Sequence, residues 1–141
     1  MRILAIDFGK KRTGIAVSDP MQIIAQGLTT VETHMALVFL RDYIQKEQVS
    51  TIIVGEPRNL DDSPTDATSA ALEFIKKLKR HFPGITIETV DERYSSKLAS
   101  QAMIDMGMKK KDRMKKELID EIAATMLLQE YLDHKAKPPK S

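Results

Sequence analysis

The sequence predicts an α/β protein built on a mixed five-stranded sheet with helices on its faces. Three observations carry this expectation. Near the N-terminus three apolar runs follow one another with only short, turn-forming links, the pattern of an antiparallel meander. Beyond them, extended and helical patterns alternate, which requires crossovers and parallel pairing. The chain has 141 residues, 42% hydrophobic and 30% charged, the proportions of one soluble domain with a sizeable core.

The elements follow in order. Residues 2–7 read as a short buried strand, and 13–18, "TGIAVS", as a second joined to it by the Gly9–Arg12 turn. A third extended run, 23–31, follows the turn-favouring pair Asp19-Pro20. In "MALVFLRDYIQK" (35–46), Leu37, Val38, Leu40 and Ile44 recur with helical spacing. "TIIVG" (51–55) is an unbroken apolar run closed by glycine, as in a strand buried on both faces. "EPRNLDDSPTD" (56–66) is a loop, rich in proline and turn formers. A helix over 67–80 is closed by "FPG", and a strand over 85–90 ends at "DER" (91–93). Ser95 or Ser96 is placed to cap a helix running to about Met106, and 117–133 forms a last helix. The domain is expected to span 1–134, with "KAKPPKS" (135–141) as a flexible tail.

Composition narrows the class. With no cysteine, neither disulfides nor thiolate metal sites are available, which fits a reducing compartment. No apolar run reaches the ~20 residues of a membrane span, and "MRILAIDFG" meets a charge too early for a signal peptide, so a cytoplasmic protein is expected. The net charge of +2 announces no polyanionic partner. Its distribution is more telling: "KKR" (10–12) and "KKKDRMKK" (109–116) concentrate cations in two places. Such clusters are ordinarily solvated surface. His34, His81 and His134 have no metal-ligand spacing and read as surface or capping residues.

In a sheet of this kind, ligands gather beyond the carboxyl ends of the parallel strands. Asp7 ends one predicted strand, Gly55 a second, and Asp91-Glu92 a third. In "ELIDEIAATMLLQEYL" (117–132), Ile119, Ile122, Ala123, Met126 and Leu127 define an apolar arc. Asp120 falls on its flank and Glu121 nearly opposite, on plain surface. Carboxylates sharing one rim repel each other, and a hard divalent cation removes that penalty. Such ions suit phosphodiester hydrolysis. Lys10, Lys11, Arg12 and Arg93 would then meet a phosphate backbone, and Arg58 in "VGEPRNLD" (54–61) sits at another strand end. Strand alternation sends Asp91 and Glu92 to opposite faces without saying which faces the metal.

Four landmarks in order, "IDFGKKRTGIAVSD" (6–19), "VGEPRNLDDS" (54–63), "DERYSSKLA" (91–99) and "DEIAATMLLQEYL" (120–132), resemble the YqgF-type or RuvX-like family of pre-16S rRNA nucleases similar to Holliday-junction resolvases. The resemblance covers nearly the whole chain. It implies a ribonuclease H-like fold and a Mg²⁺- or Mn²⁺-dependent nuclease site whose carboxylates match Asp7, Glu92 and Asp120. The middle motif departs from the family at Glu56, where an apolar residue is common, and at Asp62, near a frequent glycine.

The expected function is therefore a metal-dependent endonuclease acting on structured nucleic acid. Precursor 16S rRNA is the expected substrate, and branched DNA the alternative. Nucleic-acid contacts are expected at Lys10, Lys11, Arg12, Arg58, Arg93, Lys109, Lys110, Lys111 and Arg113. Ribosomal particles are a candidate partner, no membrane is expected, and both monomer and homodimer remain open. A non-catalytic RNA-binding module would use the basic stretches but would not need three converging acids. A sugar-kinase-like phosphotransferase would need a second domain to clamp its nucleotide.

Overall fold

Strand β1 (Arg2–Asp7) forms the middle of the sheet because its residues Ile3 to Ile6 are all apolar and all fully buried. In the computed structural model, which describes residues 1–56, 66–91 and 116–136, β1 pairs antiparallel with β2 (Arg12–Ser18). On its other side it pairs parallel with β4 (Val49–Glu56). Strand β3 (Ala25–Glu32) lies antiparallel outside β2, and β5 (Thr86–Asp91) lies parallel outside β4. The sheet order is β3-β2-β1-β4-β5. A 3₁₀ turn over Thr33–Met35 leads into helix α1 (Ala36–Lys46). Helix α2 (Asp66–His81) joins β4 to β5, and α3 is the long helix Lys116–Ala136.

The predicted meander, the parallel crossovers and the mixed five-stranded sheet are all present. Helix α3 carries the chain two residues past 134, and residues 137–141 lie outside the described residues. So do most of the predicted loop 56–66 and the helix predicted to start at Ser95 or Ser96; Glu56 closes β4 and Asp66 opens α2.

Alternation along the strands divides the core into two layers. Leu4, Ile6, Ile15, Ile52 and Val54 face Leu40 of α1 and Phe74, Ile75 and Leu78 of α2. Ile3, Ala5, Ala16 and Ile53 face Ala124, Leu127, Leu128 and Leu132 of α3. Helices therefore cover both faces, and each fully buried Leu or Ile contributes roughly 1.5–3 kcal/mol.

The arc read from the sequence for α3 is rotated in the structure. Ala123 and Leu127 are buried as expected, but Ala124, Leu128 and Leu132 are buried with them, while Ile119, Ile122 and Met126 are only half-buried. Apolar residues run nearly all round this helix, so its own periodicity does not define the packed face. Two sheet glycines do. A Cβ on Gly14 would overlap the Asp120 backbone carbonyl, and one on Gly27 would lie 2.7 Å from Glu121 Oε1. Without side chains at these positions, the helix settles directly on β2 and β3. Glu121 consequently lies over β3, half-buried, and is not plain surface.

At the opposite edge, the loop from β2 to β3 is organised by Asp19. Its carboxylate accepts backbone N–H groups from Ile23 at 2.7 Å, Ile24 at 2.8 Å and Met21 at 3.1 Å. These bonds let Gln22 sit at φ 60°. They also hold the Asp19 carboxyl below the usual carboxylate range, the bond from Ile24 contributing most and that from Ile23 next. A depressed folded pKa contributes stability above the unfolded value and loses it as pH falls through the folded one. Asp19→Ala is accordingly expected to lower the melting temperature at neutral pH, with the gap from wild type closing on acidification. Melts across the acid range check it, and a pH-independent gap would contradict it.

Candidate active site at the carboxyl edge of the sheet

The parallel strands β1, β4 and β5 end on one edge, and their register places the candidate residues. Asp7 is the last residue of β1, paired with Gly14 on one side and Gly55 on the other. Gly55 pairs in turn with Val90, and Glu56 with Asp91 one step further out. Asp7 shares its sheet face with Ile3 and Ala5, the face that α3 covers. Asp7 is 7% exposed, at the end of the strand most deeply set in the sheet.

Asp120 reaches the same place from α3. Its backbone rests on Gly14, the residue directly across from Asp7. The two aspartates are thus brought together by one pairing and one helix contact, although they stand 113 positions apart in sequence. Asp120 Oδ2 accepts a hydrogen bond from Arg12 Nε at 3.2 Å, in an ion pair with side chains 32% (Arg12) and 24% (Asp120) exposed. Arg12 stands two residues from Gly14 along β2, so alternation directs it to the α3 face.

The turn that carries Lys10 and Lys11 is pinned from below. Thr33 Oγ1 donates to the Gly9 carbonyl at 2.6 Å, and the Thr33 N–H donates to the Lys11 carbonyl at 2.9 Å. The buried Thr13 hydroxyl lies 2.9 Å from Thr33 Oγ1; because Thr33 spends its proton on Gly9, Thr13 is the donor. Gly9 has no room for a side chain, since a Cβ would overlap the Arg12 carbonyl. An anchored turn therefore presents both lysines to solvent. Lys10, Lys11 and Arg12, with Thr30, Glu32 and His34, line an open cleft of about 710 Å³. Apart from the Glu32 carboxylate, which lies beside His34, the polar part of its wall is cationic and hydroxylated and can take up phosphate oxygens.

On the far side of α3, the Tyr131 hydroxyl donates to Glu88 Oε2 at 2.6 Å. Burial, followed by that bond to Glu88, pushes the Tyr131 hydroxyl up to about 12. This bond and the packing of Val90 against the α3 layer show that even-numbered residues of β5 face α3. Ile85 and Ile87 pack in the opposite layer.

The structure thus brings Asp7, Arg12 and Asp120 together, with Lys10 and Lys11 at the rim. Glu92, Arg58, Arg93, Lys109, Lys110, Lys111 and Arg113 lie outside the described residues. Among the described residues, no group of three His, Asp or Glu side chains is arranged to hold a metal. The histidines follow expectation: His34 is exposed beside Glu32 at 3.3 Å, His81 Nδ1 lies 2.8 Å from the Lys77 carbonyl at the end of α2, and His134 is exposed. Sequence reasoning missed Gly14, Gly27 and Glu121. The only sequence signal for the glycines was their place inside extended runs, where a missing side chain often marks a close approach.

Comparison with known proteins bears on the family and the fold. Residues 1–134 match the family model described as "RuvX: Holliday junction resolvase". A protein of Flavobacterium psychrophilum named "Putative pre-16S rRNA nuclease" is 53% identical over 134 residues, covering 95% of this chain and 98% of its own. One of the same name from Phocaeicola vulgatus is also 53% identical over 134 residues, covering 95% of this chain and 96% of its own. Among solved structures, RuvC of Thermus thermophilus in complex with a Holliday junction substrate superimposes with a TM-score of 0.54 at 17% identity, covering 96% of this chain and 95% of its own. Fowlpox virus resolvase, in complex with substrate Holliday junction DNA, gives 0.52 at 16% identity, covering 97% and 100%. At these identities the likeness establishes the fold, the ribonuclease H-like arrangement of RuvC. With its motifs, its fold and the match over residues 1–134 in accord, the chain belongs to the RuvX family.

Proposed function

We propose that this protein is a divalent-metal-dependent endonuclease that cleaves phosphodiester bonds in structured nucleic acid, with precursor 16S rRNA as its substrate. The observation that carries the reading is the meeting of Asp7 and Asp120: a buried strand-end carboxyl lies across one strand from a helix that contacts the sheet through the Asp120 backbone. The names of the relatives supply the RNA substrate, and the family description supplies branched DNA as the second reading.

The donor set is oxygen only, which fits Mg²⁺ or Mn²⁺. Asp7 and Asp120 would hold the ion together with Glu92, whose number has the parity of Glu88 and Val90, the β5 residues on the α3 face. Bound there, it would activate water and stabilise the leaving oxygen. The protein's own groups do the rest. Lys10 and Lys11 engage the phosphate backbone from their anchored turn, and Arg58, Arg93, Lys109, Lys110, Lys111 and Arg113 are proposed as further phosphate contacts. No helix of the described residues is long and apolar enough to cross a membrane. The proposed setting is the cytoplasm, where ribosomal particles carry the precursor RNA.

Cleavage of precursor 16S rRNA and of a four-way DNA junction, side by side under Mn²⁺ titration, tests the reading. Metal-dependent RNA cleavage is expected; junction cleavage alone moves the substrate to DNA, and no cleavage of either overturns it. Glu92→Gln is expected to lose at least about a hundredfold in metal-dependent cleavage, beyond the 10–100-fold typical of residues that only support a ligand. Asp91→Asn should cost stability and only part of the activity. The reverse pattern would move the ligand to Asp91.

A further inference from the structure

Arg12 belongs to two environments at once. It lines the cationic cleft with Lys10 and Lys11, and its Nε holds Asp120 Oδ2 at 3.2 Å. Its distance from that carboxylate is built in. Arg12 opens β2 two residues before Gly14, and Gly14 is where the backbone of Asp120 touches the sheet. Resting on the metal-site reading above, we propose that Arg12 is a positioning residue that couples nucleic-acid binding to the availability of Asp120. Without substrate, the guanidinium occupies the Asp120 carboxylate and opposes cation binding there. When a phosphate enters the cleft, the guanidinium turns to it and leaves Asp120 to the ion.

The physical case has three parts. A guanidinium is a planar fork that pairs with either a carboxylate or a phosphate, so one side chain serves both partners. The pair is only partly buried, so exchanging one anion for another does not strand a charge in the core. The neighbouring lysines make the cleft the favoured destination once a polyanion arrives, because their charges add to the attraction for phosphate. The arrangement also limits metal-activated chemistry when no substrate is bound. Thermodynamic linkage makes the effect reciprocal: if nucleic acid raises the affinity for the ion, the ion raises the affinity for nucleic acid by the same factor.

Mn²⁺ binding, followed by the electron paramagnetic resonance of the free ion, tests this without a turnover measurement. The wild type and the variants Arg12→Gln, Arg12→Lys and Asp7→Asn are each titrated alone and with a cleavage-resistant phosphorothioate hairpin RNA. For the wild type, the RNA is expected to tighten Mn²⁺ binding by about tenfold, within the usual range of coupling between sites. Arg12→Gln is expected to bind Mn²⁺ alone more tightly than wild type, to bind RNA more weakly in EDTA, and to lose most of the coupling. Arg12→Lys keeps the charge without the fork; it should fold if Arg12→Gln does not and should show an intermediate coupling. Unchanged coupling in a folded Arg12 variant, or weaker Mn²⁺ binding by it in the absence of RNA, overturns the proposal. If Asp7→Asn abolishes Mn²⁺ binding while an Arg12 variant retains full coupling, the metal site stands and only the role of Arg12 fails. If the wild type itself binds no Mn²⁺ with RNA present, both fail.

Discussion

Asp7→Asn is expected to reduce metal-dependent cleavage by at least about a hundredfold while leaving the fold in place. The size follows from the role. Residues that only support a metal ligand commonly cost 10–100-fold when changed, and Asp7 is proposed as a ligand. The preservation of the fold follows from geometry. Asparagine has nearly the same shape, and β1 is paired through its last residue on both sides, to Gly14 and to Gly55. Cleavage under saturating Mn²⁺, together with a thermal melt of the same preparation, checks both halves. A well-folded variant that still turns over would remove Asp7 from the metal site.

Gly14→Ala is expected to produce the largest structural effect of any single methyl group in the described core. Its Cβ would overlap the Asp120 carbonyl, and nothing on either side yields easily. β2 is hydrogen-bonded to both β1 and β3, and α3 presents backbone there rather than a side chain that can rotate away. Overpacking of this kind costs about 1–3 kcal/mol, and the rigid partners place it at the upper end. Because the relief must come from moving α3 at Asp120, activity should fall too, on the order of a hundredfold for a displacement of about 1 Å. Gly27→Ala is the control. Its Cβ would meet the carboxylate and Cγ of Glu121, a flexible side chain, and Thr125 Oγ1 at 3.1 Å, side-chain atoms rather than backbone, so the cost should be about 1 kcal/mol, the low end of overpacking, and activity should be largely retained. Equal effects at the two glycines would show that helix approach is not what Gly14 provides. The same contact changes the expectation for Glu121: the rotated helix places it over β3, so its substitution is a packing change rather than a surface one.

The sheet and its layers were legible from local pattern because each strand records its own burial. The unbroken apolar run Ile3–Ile6 belongs to an interior strand buried on both faces, and Ile52–Val54 likewise. Asp7, ending such a run and followed by cations, marked the carboxyl edge of the sheet, the edge at which ligands gather in folds of this kind. Three acids on that edge could be nominated from strand order and family resemblance together. Asp7 and Asp120 are the two that the described residues bring into one place.

What the chain order alone left undetermined was the phase of α3 and the partner of Arg12. Apolar residues surround the helix, so 3.6-residue periodicity permits more than one orientation, and the choice falls to Gly14 and Gly27 on strands that lie about a hundred residues earlier. The absence of a side chain has no periodic signature; its meaning appears only when the space is seen to be occupied, by the Asp120 backbone at Gly14 and by side chains of α3 at Gly27. Arg12 likewise belongs, in sequence, to a run of three cations that all look suited to phosphate. Its neighbours Lys10 and Lys11 extend from the turn into solvent, whereas Arg12 has entered β2, where strand alternation aims it at α3 and at Asp120. Local pattern therefore specified which residues are charged and where strands end. Only the packing of one helix on two glycines specified which charges meet, because a long-range contact depends on the shapes of both surfaces.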